Sequence, residues 1–411
     1  MALFEFQDLS FSEEDGSKDK REKGDVRVTF LKIYHFFFSK EDLSKIANFR
    51  ISEHSIEFDC DDKQASKKFN NLMTNGFNGL VCSLTGLKTV YLHQNSGIPI
   101  IGEGVFGLID RNTNCIEVKP LTCCNLDCVF CSVDAGPSSS KVTDYIIEKD
   151  YLIQEFNRIA GIKVHDLEAH IGPQGEPLLY APLVELIRDL KANPKVKVVS
   201  IDTNGTLLTK KLIDDMAEAG LTRLNISLQA MDEGKCTELA GRPYNLRHVL
   251  EMIDYAADKV NVLLAPVIIP GLNDDQLEKL VAHGKLIKSD YPQLGLQNFL
   301  NYKRGRNPVK QREWDEFFSM LESIENKEKI KLRLTKEDFG IEPDTKLDKP
   351  LQKRDVVKVQ VMCDGPEKGE KIAAAMGRAI IVEDAANAAI NSTIRVQIIR
   401  DKHNIYRGIM L

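Results

Sequence analysis

No run of about 18 apolar residues occurs anywhere in the chain, so no membrane-spanning helix is expected. The opening MALFEFQDLSFSEEDG is acidic and has no basic segment ahead of an apolar one, so no export signal is expected either. A disulfide framework is excluded by number and placement: nine cysteines serve 411 residues, and four of them fall between positions 123 and 131. In a chain without an export signal, that clustering points to a reducing cytoplasm and a metal site. The net charge is −6 and unevenly placed. Residues 353–411 hold 10 Lys/Arg against 7 Asp/Glu, a surplus of +3, which leaves −9 for residues 1–352. A basic module on an acidic body suits a polyanionic partner, with ordinary surface variation as the plain alternative.

The fold class is α/β, in several parts. Residues 1–25 read as a disordered tail, because LSFSEEDGSKDKREKGD (9–25) is charged and nearly free of apolar groups. Residues 26–113 read as a small N-terminal α/β segment. There VRVTFLKIYHFFF is a strand, KEDLSKIANF a short helix, and IEFDC and TVYLHQ further strands. From 114 to 327 a strand, loop and helix pattern repeats. Strands are expected at Cys115–Lys119, Asp166–Ile171, Val196–Thr203, Arg223–Gln229, Val260–Val267 and Leu294–Leu300. One intervening helix is capped by Thr209 and stopped by Gly220. Six such units imply a parallel sheet wrapped by helices, with the chemistry at the carboxyl ends of the strands. Residues 328–352 read as a strand plus linker, and 353–411 as a small β-barrel.

Chemistry concentrates in Pro120–Gly136, PLTCCNLDCVFCSVDAG. Cys124, Cys128 and Cys131 are spaced C-x3-C-x2-C, with Phe130 directly before the last. Three thiolates on a loop after a strand suit three corners of a cubane iron–sulfur cluster and leave one iron open. A structural zinc site would need a fourth donor, and Cys123, the only extra cysteine nearby, reads better as a packed thiol. The pattern, ahead of five more βα units, resembles the radical S-adenosylmethionine (SAM) superfamily over roughly residues 114–310.

That resemblance implies a partial (βα)6 parallel barrel. It also implies a [4Fe–4S] cluster on Cys124, Cys128 and Cys131, with SAM bound at the open iron and cleaved to a 5′-deoxyadenosyl radical. In GPQGEPLLY, Gln174, Gly175 and Glu176 match the turn that binds the SAM amine. Thr203, Asn204 and Ser227 are implied near SAM, Phe130 and Ile269 along its adenosyl group. Asn225, Ser227 and Gln229 share one strand face. On the substrate side, Glu168 and His170 share a strand face with Asp166, and Lys303, Arg304 and Arg306 could meet phosphate.

The ending GRAIIVEDAAN…INSTIRVQIIRDKHNIYRGIML resembles a TRAM domain, an OB-like RNA-binding barrel. Lys353, Arg354, Lys358, Arg378, Arg395, Arg400 and Arg407 are its candidate phosphate contacts. The expectation is a cytoplasmic enzyme that modifies RNA, with tRNA the favoured class, and draws electrons from a ferredoxin or flavodoxin. The alternatives are a radical SAM enzyme for a peptide or small metabolite, in the manner of the molybdopterin-forming cyclase, and a non-catalytic iron–sulfur or RNA-binding protein.

Overall fold

The computed structural model describes residues 1–14 and 24–411. Alternate apolar residues organise its N-terminal part more tightly than their charged surroundings suggest. Ala2–Glu5 pairs with Ser55–Phe58, and Leu9–Glu13 with Val26–Phe30, burying Ala2, Leu9 and Phe11. The expected disordered tail is thus two strands, while residues 15–23 of that expectation lie outside the described residues. The single strand expected at 26–38 is a hairpin of Val26–Phe30 and Tyr34–Phe38. Leu31 and Lys32 reverse the backbone there at φ 47° and 70°, a conformation that apolar alternation does not signal.

The helix Asp62–Asn78, capped by Asp61, sets Phe69 against Phe4, Phe58 and Phe38 at ring-centroid distances of 4.8, 5.5 and 5.8 Å. The neighbouring six-stranded sheet runs Leu9–Glu13, Val26–Phe30, Tyr34–Phe38, Val81–Cys82, Lys88–Leu92 and Thr143–Ile147. Its last strand comes from beyond the cysteine loop, so this sheet abuts the cluster motif directly.

The repeating units form a second six-stranded sheet, ordered Asn261–Leu264, Arg223–Ile226, Val196–Thr203, Leu167–Ile171, Cys115–Lys119 and Gly107–Asp110. The first five are mutually parallel and the edge strand Gly107–Asp110 is antiparallel. The sixth unit is shortened. A parallel bridge joins Leu264 to Leu294, and Val267–Ile268 pairs with Gln297–Asn298, extending the curve without closing it. Helices cover the outer face through apolar stripes such as Leu183, Leu186, Ile187 and Leu190. Thr209 accepts from Leu212 N–H at 3.1 Å and Gly220, at φ 103°, ends that helix, as the sequence implies. Among the described residues, no helix is long and apolar enough to cross a membrane.

Residues 328–352 contain no strand; they strap across the amino-terminal ends of the parallel strands. Asp344 caps the N–H groups of Val164 and His165 at 3.0 and 3.1 Å, and Asn114 N–H donates to Glu342 O at 3.0 Å. Lys163, fully buried, donates to both oxygens of Asp110 (2.8 and 2.9 Å) and to Thr345 O (2.8 Å). These contacts of the strap with the rest of the chain join residues 179 to 228 positions apart and leave no periodic signature.

Residues 356–410 close a five-stranded barrel, ordered Val356–Asp364, Lys371–Ala375, Arg378–Glu383, Arg407–Met410 and Thr393–Arg400. All pairs are antiparallel except Arg378–Glu383 with Arg407–Met410. Val359, Val361, Ile380, Val382, Val396 and Ile398 fill it. It docks through backbone contacts: Ala379 N–H to Ile101 O at 2.8 Å and Tyr406 N–H to Gly102 O at 2.7 Å. Gly102 is required there, since at φ 117° a Cβ would lie 2.4 Å from Ala379 O.

The Lys163–Asp110 pair yields a stability prediction. Asp110→Ala leaves a buried ammonium without its carboxylate and is expected to cost about 3–5 kcal/mol in denaturant unfolding. A loss below about 1 kcal/mol would show the strap to be held by other contacts.

Candidate active site

The cysteine loop leaves the strand Cys115–Lys119 and is immediately pinned. Thr122 Oγ1 donates to Asp144 at 2.7 Å and accepts from Tyr145 N–H at 2.9 Å, tying the loop to the N-terminal sheet. Cys123 then points outward, fully buried, with its Sγ 3.3 Å from the Tyr34 hydroxyl, while its carbonyl accepts from Glu176 N–H at 2.9 Å. Cys123 is therefore the packed thiol, and Cys124 is the first to face the interior.

Cys124, Cys128 and Cys131 line one cavity of about 730 Å3, in the size range of ligand sites. Leu126 N–H points at Cys124 Sγ and Ala135 N–H at Cys131 Sγ, each at 3.4 Å. Such donors favour thiolate sulfur. Burial pushes the Cys128 thiol up to about 12, so its ligand form calls for adjacent positive charge such as iron. Among the described residues no group of three His, Cys, Asp or Glu side chains is placed to hold a single metal ion. The three cysteines fit a [4Fe–4S] cluster.

Arg306 locks the loop. Its guanidinium donates to Asp134 Oδ1 (2.7 Å), Ala135 O (3.2 Å), Cys128 O (3.4 Å) and Asp127 Oδ1 (3.4 Å), while its backbone N–H donates to Cys131 O (2.8 Å). Asp127 also accepts from Arg242 Nε at 2.9 Å and from the N–H and hydroxyl of Ser138 at 2.8 and 2.9 Å. Burial alone would raise the Asp127 carboxyl; these donors outweigh it and hold the group below its ordinary range. Arg306 thus serves the cysteine loop and is not free to meet phosphate. Arg304 is engaged too, by Glu367 and Glu370 of the C-terminal barrel; of this trio only Lys303 stays exposed and without an ion-pair partner among the described residues.

The second motif lies across the cavity. Gly175 sits at φ 64°, and a Cβ there would meet Cys123 O at 2.4 Å, so only glycine lets this turn approach the cysteine loop. Glu176 accepts from Thr203 Oγ1 (2.7 Å), Asn204 N–H (2.9 Å) and Leu178 N–H (3.0 Å). Burial still raises its carboxyl to about 7, so a ligand ammonium beside it would restore full charge. Asn204 is fixed by Asn125 Oδ1 at 2.9 Å and by the Tyr244 hydroxyl on its carbonyl at 3.0 Å.

Phe130, Gly175, Glu176, Thr203, Asn204 and Ser227 all line the cavity with the cysteines. Gln174 and Ile269 do not. Gln174 is buried with its Nε2 unpartnered, and Ile269 packs behind Phe130 with Leu239 and Phe299. The sequence reading passed over Asp202 and the far wall of Trp314, Phe317 and Phe318. Strand alternation signals Asp202 by placing it on the face of Ser200, opposite Thr203; Trp314, Phe317 and Phe318 sit on the helix Trp314–Glu328, whose apolar spacing does not itself announce a cavity.

A profile of the radical SAM superfamily matches residues 118–283. An uncharacterised protein of Methanocaldococcus jannaschii is 37% identical over 356 residues, 80% of this chain and 82% of its own length. Residues 118–283 are thus a radical SAM domain. As a radical SAM protein the chain takes a [4Fe–4S] cluster and SAM as cofactors. A GTP 3′,8-cyclase of Chlorobaculum tepidum is 31% identical over 173 residues, 42% of this chain; the chain spans half (50%) of that cyclase. Among solved structures, Streptococcus suis SuiB bound to S-adenosylmethionine aligns over 68% of this chain and 57% of its own, at 16% identity and a TM-score of 0.43.

Two substitutions separate the adjacent cysteines. After anaerobic reconstitution, Cys124→Ser is expected to lose most of its cluster iron and Cys123→Ser to keep it, as measured by iron and sulfide per chain. The reverse result would move the ligand set by one residue.

Proposed function

We propose that this radical SAM enzyme modifies a nucleotide of an RNA, with tRNA the favoured class. Residues 353–411 would hold the polyanion while the cavity receives one base. The observation that carries this reading is the division of charge between the two surfaces. Among the described residues the cavity lining has a single cation, Arg333, and it is already paired with Glu322 and Glu325. The remaining lining is largely apolar and includes Trp314 and Phe318, stacked on each other and both exposed, rings on which a base can stack.

The tail barrel carries the cations instead, though fewer than its sequence offers. Arg378 is buried against Asp348, and Arg407 is taken by Glu370 and Glu383. Lys353, Arg354, Lys358, Arg395 and Arg400 are exposed and without an ion-pair partner among the described residues. Lys358 and Arg395 stand directly opposite each other across two strands. Like charges so placed repel, a cost that a bound phosphate relieves.

When bound, the reduced cluster and SAM would supply hydrogen-abstracting radical chemistry, with a ferredoxin or flavodoxin as the electron donor. Cys124, Cys128 and Cys131 would hold the cluster, and Arg306 keeps their loop in one shape. Gly175 and Glu176 would receive the SAM ammonium, and the aromatic wall excludes water from the reacting atoms. The second reading is a small nucleotide substrate, favoured by the GTP 3′,8-cyclase relatives. A triphosphate seated in this cavity would meet no unpaired cation.

Charge reversal at both Lys358 and Arg395 tests the proposal with the full chain and a tRNA transcript. Affinity is expected to fall at least tenfold, and the slope of log affinity against log salt to flatten by about 1.4 for two lost single-strand contacts, at about 0.7 each. Unchanged, salt-insensitive binding would remove the tail from RNA recognition.

A further inference from the structure

Six side chains on three neighbouring parallel strands form a buried polar network below the cysteines: Glu168 and His170, Ser200 and Asp202, Arg223 and Asn225. With Glu168 and Asp202 ionised, their hydrogen bonds allow one arrangement of protons. Arg223 can only donate. Its Nη2 lies 2.6 Å from Glu168 Oε1 and its Nε 3.0 Å from Asn225 Oδ1. That orients the Asn225 amide, whose Nδ2 then donates to Asp202 Oδ1 at 2.8 Å. Ser200 Oγ donates to Glu168 Oε1 at 2.6 Å, spending its one proton. His170 Nδ1, 2.8 Å from Ser200 Oγ, must therefore be the donor there. Its Nε2 faces Asp202 Oδ2 at 3.1 Å, and a carboxylate only accepts.

Both ring nitrogens thus carry protons, and His170 is a largely buried imidazolium, its side chain 18% exposed. The charged surroundings agree. Burial opposes the charge on His170, but Asp202 and Glu168 outweigh it and hold the imidazole above its ordinary value, with Arg223 as the opposing cation. Glu117 faces the ring from the first strand. On Asp202 burial is likewise outweighed, by His170, Asn225 and Arg223, and its carboxyl stays below the ordinary range. Cys115, also near Asp202, is held neutral by burial.

Asp202 lines the substrate cavity with its side chain 32% exposed. Of about four acceptor positions on a carboxylate, its two internal partners use two. Asn298 adds another acceptor to the same lining. Its Nδ2 donates to Arg312 O at 2.9 Å, which orients the amide and leaves Oδ1 buried without a partner. A largely apolar cavity that offers acceptors at Asp202 and Asn298, and whose one cation among the described residues is already paired, suits a planar ring that donates to them.

We propose that Asp202, positioned by the imidazolium of His170, reads a substrate edge bearing two adjacent N–H donors. Among the standard nucleobases that edge belongs to guanine, through N1–H and the 2-amino group. The proposal rests on the base-modifying reading for its substrate class; the protonation of His170 does not.

Calorimetric titration of the reconstituted enzyme with SAM tests it, using guanosine, inosine and adenosine as probes. Guanosine is expected to bind at least tenfold more tightly than inosine, which lacks the 2-amino group, and than adenosine. In Asp202→Asn the preference should shrink to within about twofold, since one lost charge-assisted hydrogen bond accounts for about tenfold. Guanosine binding no better than adenosine in the wild type, or a preference that survives Asp202→Asn, overturns the assignment. A guanosine preference with no tRNA binding would refute the RNA reading and leave this one standing. Nitrogen-15 NMR of histidine-labelled wild-type protein checks the positioning role separately. His170 should show both nitrogens protonated at neutral pH and release its proton only at a pH above the ordinary histidine value. A neutral His170 at pH 7 overturns that role.

Discussion

The contact on which the active site depends is the guanidinium of Arg306 lodged inside the cysteine loop. Three thiols can share one cluster only if the loop carrying them has a single shape, and a loop of such length has no repeating hydrogen bonds of its own. Arg306 supplies them from a position more than 170 residues away, reaching two carboxylates and two carbonyls. Because Arg306 follows the shortened sixth strand, the same contact joins the last unit of the open sheet to the first. An incomplete barrel is in this way fastened at its mouth, where the chemistry lies.

Two other parts of the chain converge on that mouth. The N-terminal sheet backs the cysteine loop through Tyr34 and Cys123 and through the Thr122–Asp144 hydrogen bond. The C-terminal barrel reaches it through Glu367 and Glu370, which take Arg304, two residues from the clamp. Glu370 also binds Arg407, so a single buried carboxylate joins the tail barrel to the site loop. The C-terminal barrel and the cysteine loop are therefore parts of one connected framework.

Local patterns were legible in the sequence. The strands Cys115–Lys119 and Val196–Thr203 match their expected spans, and the Thr209 cap and Gly220 stop stand where their chemistry places them. Cys124 rather than Cys123 faces the cavity, as the C-x3-C-x2-C spacing implies. What escaped depends on distant partners. The strap at 328–352 reads as a linker because Asp344 and Glu342 act through single capping bonds to strand ends far away in sequence. Arg304 and Arg306 read as phosphate ligands because a cation in a loop does not declare which carboxylate will meet it. The hairpin at 26–38 was hidden by the apolar Leu31 and Ile33 around its turn.

The central claim is that this site binds a reduced cluster and SAM so that the sulfonium is cleaved within the Arg306-fastened loop. The most direct test is 5′-deoxyadenosine formation by reconstituted protein given SAM and dithionite, alongside an Arg306→Ala variant matched for cluster content. Wild type should produce 5′-deoxyadenosine, and the variant, once loaded, should lose its cluster faster and yield at least tenfold less. No 5′-deoxyadenosine from wild-type protein with an intact cluster would contradict the claim.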